Sequence, residues 1–86
     1  MPRLSEFYGI VTSMLYNDHP PPHFHAAYAQ YEAAVGIDPV RLIKGQLPRR
    51  VQSLVFEWAA LYQIELRDDW ELARAQKPLK RIPPLE

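Results

Sequence analysis

The sequence predicts an α+β fold: a small antiparallel β-meander of three or four strands, followed by one long or kinked C-terminal helix packed on the sheet. Three observations lead there. Runs of aromatic and β-branched residues separated by turn signals fill the first half of the chain. From Pro48 the apolar residues change to 3/4 spacing, at Val51, Leu54, Val55, Trp58, Leu61, Tyr62, Leu66 and Ala73. Most of the nine prolines bracket these segments rather than interrupt them. At 86 residues the chain is one domain. It divides into a β part over 1–45, a helical part over 46–77 and an extended Pro-rich tail over 78–86.

Phe7 to Tyr16 reads as the first strand, carrying Tyr8, Ile10, Val11 and Thr12. Asn17-Asp18-His19-Pro20-Pro21-Pro22 is a loop that the triple proline should hold extended and stiff. His23 to Tyr28 is the second strand and Tyr31 to Ile37 the third, with Ala29-Gln30 as a two-residue hairpin loop. Asp38-Pro39 ends that strand, and Val40 to Lys44 forms a short fourth. Pro48 suits the first helical position, where its missing N–H costs nothing. Arg67-Asp68-Asp69 is the expected bend, with Asp68 as N-cap for Trp70–Gln76, and Lys77-Pro78 ends the helix. One helix covers one sheet face, so the other needs a partner chain or a homodimer.

Composition removes several function classes. There is no cysteine, which excludes disulfides, Cys-based zinc fingers and a Cys nucleophile. The formal net charge is zero, so bulk charge does not attract nucleic acid. The N-terminus has no signal-peptide apolar region, and no apolar run approaches the roughly 18 residues of a membrane span. A cytoplasmic protein that does not engage the membrane is the expectation.

All three histidines fall within seven residues, at His19, His23 and His25. His23 and His25, two apart on a strand, face the same side. That spacing suits two imidazoles sharing a metal or a phosphate. His19 closes a third position if the proline loop folds back, and three histidines with an open site form a catalytic zinc arrangement. Asp18 can orient a ring, and Asp18 or Glu32 can add a ligand. The same histidines can act as metal-free acid and base. The plainer alternative places His23 and His25 on a half-exposed strand face and His19 in a surface loop. If Phe7 and Gly9 share the histidine face the site is open; if Ile10 and Met14 do, the rings are half-buried.

Residues 41–50 carry Arg41, Lys44, Arg49 and Arg50 and no acidic residue. Arg49 and Arg50 at a helix start, near Lys44, can gather phosphates; the alternative is a solvated face. Trp58, Tyr62 and Trp70 read as core or interface anchors. His23-Phe24-His25-Ala26-Ala27 begins like the His-triad run of nucleotide hydrolases, but Ala27 stands where that run needs its third His.

Asn17-Asp18-His19-Pro20-Pro21-Pro22-His23-Phe24-His25 resembles the Asn-x-His-x-Pro-Pro-His-x-His core of the bacterial family known as domain of unknown function 4160. The resemblance extends from Phe7-Tyr8-Gly9-Ile10 through Asp38-Pro39-Val40-Arg41-Leu42 to Glu65-Leu66 and Trp70. It implies Asn17, His19, His23 and His25 as motif residues. It also implies a two-gene module of toxin–antitoxin type, with this chain as the toxin-like component and a small antitoxin-like protein as its partner. Many members carry a His about where Tyr62 stands here. The function expected is action on RNA, with His23, His25 and His19 catalytic and Arg49, Arg50, Lys44 and Asn17 binding. The alternatives are a non-catalytic partner-binding protein of such a module and a small metal-binding or metallohydrolase protein using His19, His23 and His25 with a divalent ion such as zinc.

Overall fold

The computed structural model describes residues 2–86. Five strands form one antiparallel sheet in chain order: β1 (Arg3–Phe7), β2 (Ile10–Ser13), β3 (His23–Tyr28), β4 (Tyr31–Gly36) and β5 (Leu42–Gly45). Two helices follow, α1 (Arg49–Leu61) and α2 (Gln63–Arg74). The fold is α+β, as the patterning predicts, with one strand and one helix break more finely divided than expected.

The expected first strand, Phe7 to Tyr16, is instead a hairpin. Tyr8 and Gly9 both take positive φ, 52° and 79°. Two positive-φ residues in a two-residue loop match the right-handed twist of the strands they join. Phe7 therefore pairs with Ile10 and turns to the same side. The segment before it, Arg3–Phe7, is a strand in its own right, which its polar Arg3, Ser5 and Glu6 conceal. The hairpin loop at Ala29-Gln30 is present as expected, with Tyr28 opposite Tyr31 and Ala29 at φ 52°.

The triple proline does not run extended. The chain bends at Pro20-Pro21, whose peptide bond is cis, as is Asp38-Pro39. Gly45, at φ 80°, lies so close to the Glu32 carbonyl that a Cβ would collide with it.

The helical stretch breaks at Tyr62, not at Arg67-Asp68-Asp69. Tyr62 (φ −114°, ψ 32°) ends α1 and precedes α2, and its N–H bonds to the Trp58 carbonyl. Asp68 and Asp69 lie inside α2, so Asp68 is not an N-cap. Leu66, Asp69, Trp70 and Ala73 form its buried stripe. Pro48 is the residue just before the first helical turn rather than within it.

One sheet face packs against the helices. Phe7, Ile10, Phe24, Ala26, Ala33 and Val35 meet Val51, Val55, Trp58 and Ala59 of α1. Trp58 is fully buried, with the rings of Phe7 and Phe24 each 5.4 Å away. The tail is held by three bonds: the Lys80 N–H to Asp69 Oδ1, the Ile82 N–H to the Leu4 carbonyl, and Trp58 Nε1–H to the Pro83 carbonyl. Ile82 and Leu85 are buried, so the extended tail completes the core beside β1. Among the described residues, no helix is long and apolar enough to cross a membrane.

Candidate metal centre

Alternation along β3 places Phe24 and Ala26 in the core and His23 and His25 on the opposite face. Ser13 of β2, His25, Ala34 of β4 and Lys44 of β5 pair in one row across that face. Val11 and Ala27 form the next row. The histidines thus share their face with Val11 and Ser13. Neither Phe7 nor Ile10 lies there, because the Tyr8-Gly9 turn moves Phe7 to the core side.

The loop before β3 brings a carboxylate to the rings. Asn17 takes φ 55°, a left-handed conformation that Asn tolerates better than most residues. Its N–H bonds to the Ala73 carbonyl at 3.2 Å, which ties the loop to the end of α2. Asp18 follows. Its Oδ1 accepts the His19 N–H at 2.8 Å, leaving Oδ2 for the histidines. His23 Nε2 stands 2.9 Å from Asp18 Oδ2, and His25 Nε2 3.4 Å from the same oxygen.

The contacts of His23 constrain its protons. Its Nδ1 lies 2.7 Å from the Pro21 carbonyl. A carbonyl can only accept, so Nδ1 carries the proton and donates it. The other ring nitrogen, Nε2, faces a carboxylate oxygen, and unless it too carries a proton the two present lone pairs to each other. Two lone pairs at 2.9 Å repel unless a proton or a cation lies between them. A backbone carbonyl holding Nδ1–H while Nε2 points at a shared centre is how metal-binding histidines are oriented.

The donors suit an ion. Asp18, His23 and His25 offer three ligand atoms all within 4.8 Å of one another. Tetrahedral zinc with bonds of 2.0–2.1 Å separates its donors by about 3.3 Å; the two Asp18 contacts, 2.9 and 3.4 Å, lie near that spacing, and the two imidazoles would close from within 4.8 Å to meet it. Two imidazoles and one carboxylate favour zinc or iron over magnesium or calcium, which prefer all-oxygen sites.

Trp70 of α2 backs the site, its ring centre 5.3 Å from that of His23. Burial alone would raise the Asp18 carboxyl. The His19 N–H and the His25 and His23 rings outweigh it and hold the carboxyl below its ordinary value.

The other expected site residues distribute differently. His19 is exposed and outside the cluster; its backbone N–H serves Asp18. Asp18 takes the third place instead. Asn17 contributes its backbone conformation and the N–H that ties the loop to α2. Lys44 lies in the His25 row, lining one concavity with it. Arg49 and Arg50 are exposed at the start of α1, and Arg50 lines a separate pocket with Tyr8 and Tyr28, at the far end of β3 from His23. Tyr62 packs its ring at a tilt against Trp58, 6.2 Å between centres, rather than joining the cluster.

Residues 9–71 match the family described as Domain of unknown function (DUF4160), a stretch that contains the whole Asp18–His23–His25 cluster. No curated protein and no solved structure matches the chain. With most of its length matched to one family and the motif residues inside the match, the chain belongs to the DUF4160 family.

Proposed function

We propose that this protein binds a divalent transition metal, zinc or iron in class, through Asp18 Oδ2, His23 Nε2 and His25 Nε2. The observation that carries the proposal is the His23 ring, held at Nδ1 by the Pro21 carbonyl so that its Nε2 meets the Asp18 carboxylate beside His25. Three protein ligands leave positions open for an outside molecule, and such an ion can polarise a bound oxygen or activate water.

The test is metal affinity in the purified, untagged protein, by zinc titration against a chromophoric chelator. Wild type should take up one zinc per chain. Asp18→Ala, His23→Ala and His25→Ala should each bind at least about tenfold more weakly, a range that even outer-shell changes reach. His19→Ala should bind as wild type does. No uptake at micromolar zinc, or equal loss in His19→Ala, would overturn the reading.

A second reading keeps the site metal-free, as the acid–base centre of a toxin-like protein acting on RNA with a small antitoxin-like partner. It is favoured by an ionised Asp18 beside a half-buried His23, a pairing able to hold and pass a proton. In that reading Lys44, rather than Arg49 and Arg50, stands nearest to hold a phosphate. Inducible expression separates the two. Growth arrest by wild type in metal-chelated medium, lost in the double His23→Ala/His25→Ala variant and relieved by the partner, would support it. Absence of arrest would remove it.

A further inference from the structure

We propose that the open side of the Asp18–His23–His25 centre takes a phosphate-type oxyanion, held at its other end by the ammonium of Lys44. The inference rests on the metal-centre reading and names the ligand class of that site. The strand pairing supplies the geometry. His25 pairs with Ala34, and Ala34 with Lys44, so the three side chains stand in one row. Two strand spacings separate His25 from Lys44, roughly 9.5 Å between backbones. Between them Ala34 offers only a methyl group. The row is therefore a trough with an imidazole on one wall and an ammonium on the other.

A concavity of about 230 Å³ lies there, lined by His25, Glu32, Ala33, Ala34, Lys44 and Gly45. That is smaller than the usual pocket for a drug-sized ligand, so it admits a small group rather than a large ring system. Gly45 contributes no side chain to the wall, and its close approach to the Glu32 carbonyl keeps the β4–β5 edge tight.

Charge sets the ligand class. A divalent ion with one carboxylate ligand keeps one net positive charge. Lys44 adds a second and makes no ion pair among the described residues. Glu32, on the same trough, removes one. The balance stays positive, with the ion's ligand His25 and the Lys44 side chain both lining the trough. An oxyanion with oxygens on two sides satisfies both: one oxygen on the ion, one accepting from the Lys44 ammonium. A neutral ligand would leave Lys44 unused, and a cation would meet repulsion from both ends.

The experiment uses the full chain loaded with Co²⁺, whose visible spectrum reports its ligands. Inorganic phosphate and dimethyl phosphate are titrated separately, to tell a free or terminal phosphate from a diester. A spectral change with either probe, shifted to about tenfold higher concentration in Lys44→Ala, is the expected result. Glu32→Gln should move the titration the other way. Lys44 is exposed, so its replacement should leave folding and Co²⁺ affinity unchanged.

Unchanged Co²⁺ uptake with no response to millimolar phosphate, or equal responses in wild type and Lys44→Ala, would overturn the oxyanion proposal and leave the metal centre standing. Failure to bind Co²⁺ at all would overturn both.

Discussion

Asp18 and Asp69 are two carboxylates whose surroundings push them in opposite directions. Asp18 meets one N–H and two imidazoles, and its carboxyl is held below the ordinary 3.8 despite partial burial. A depressed folded value means that its contribution is present above 3.8 and lost as pH falls through the lower folded value. In the metal-free protein, Asp18→Asn should cost about 1.5–3 kcal/mol at pH 7, the range for a hydrogen bond to a charged group. The difference should vanish in strong acid; urea unfolding at several pH values measures it. Asp69 is 1% exposed, accepts the Lys80 N–H with one oxygen, and leaves Oδ2 without a partner among the described residues. Burial raises its carboxyl, the Lys80 N–H and ammonium partly offset that, and neighbouring Asp68 adds to the rise. A raised folded value has the reverse sign: stability is fullest below 3.8 and falls as pH rises through the folded value. Asp69→Asn keeps an acceptor for Lys80. It should melt higher than wild type at pH 7, with the gap closing as pH approaches 3.8. A gap that stays constant with pH would show that Asp69 does not titrate in this way. From the sequence, Asp18 was only an accessory to the histidines. Its rank rose because the loop bend at Pro20-Pro21 places it against both rings, where His19 was expected.

At the scale of elements, the hairpins set the faces. Each two-residue loop starts with a positive φ, at Tyr8 and at Ala29, and neither residue favours it. A left-handed Ala costs about 1–2 kcal/mol, and Gly gives back part of the gain through its greater freedom when unfolded. Ala29→Gly should therefore stabilise the protein by up to about 1 kcal/mol, read as a shift in the urea midpoint at constant slope. The second hairpin was legible because Tyr28 and Tyr31 flank a two-residue gap between alternating runs. The first was hidden. Tyr8-Gly9 sits inside a run of strand-forming types, and β1 mixes Ser5 and Glu6 among its apolar residues. The helix break was hidden for a different reason. The buried positions Val51, Val55, Trp58 and Ala59 of α1 and Leu66, Trp70 and Ala73 of α2 continue one stripe through Tyr62. A stripe that stays in phase marks which face is buried but not where the backbone turns.

The whole molecule is a sheet clad on one face by helices and at its β1 side by its own tail. Ile82 and Leu85 are 4% and 8% exposed, and the Ile82 N–H and Trp58 Nε1–H give the tail fixed partners. Burying two such side chains contributes roughly 3–5 kcal/mol. Removing residues 79–86 should lower unfolding free energy by about that amount. Truncation that left the denaturant midpoint unchanged would refute the strap. The tail, which composition marks only as extended, docks because Trp58 Nε1–H and the Leu4 carbonyl of β1 give it partners and Ile82 and Leu85 are buried there. By itself, the sequence determined the class of fold, the two β3 histidines on one face, the hairpin at Ala29-Gln30 and the aromatic core, since each follows from periodicity between near neighbours. Only the tertiary structure decided which carboxylate joins the histidines, that Lys44 shares their trough while Arg50 lies at the other end of β3, and that the tail closes the core. Those outcomes depend on register between strands and on how loops bend, and contacts between residues distant in the chain leave no periodic trace along it.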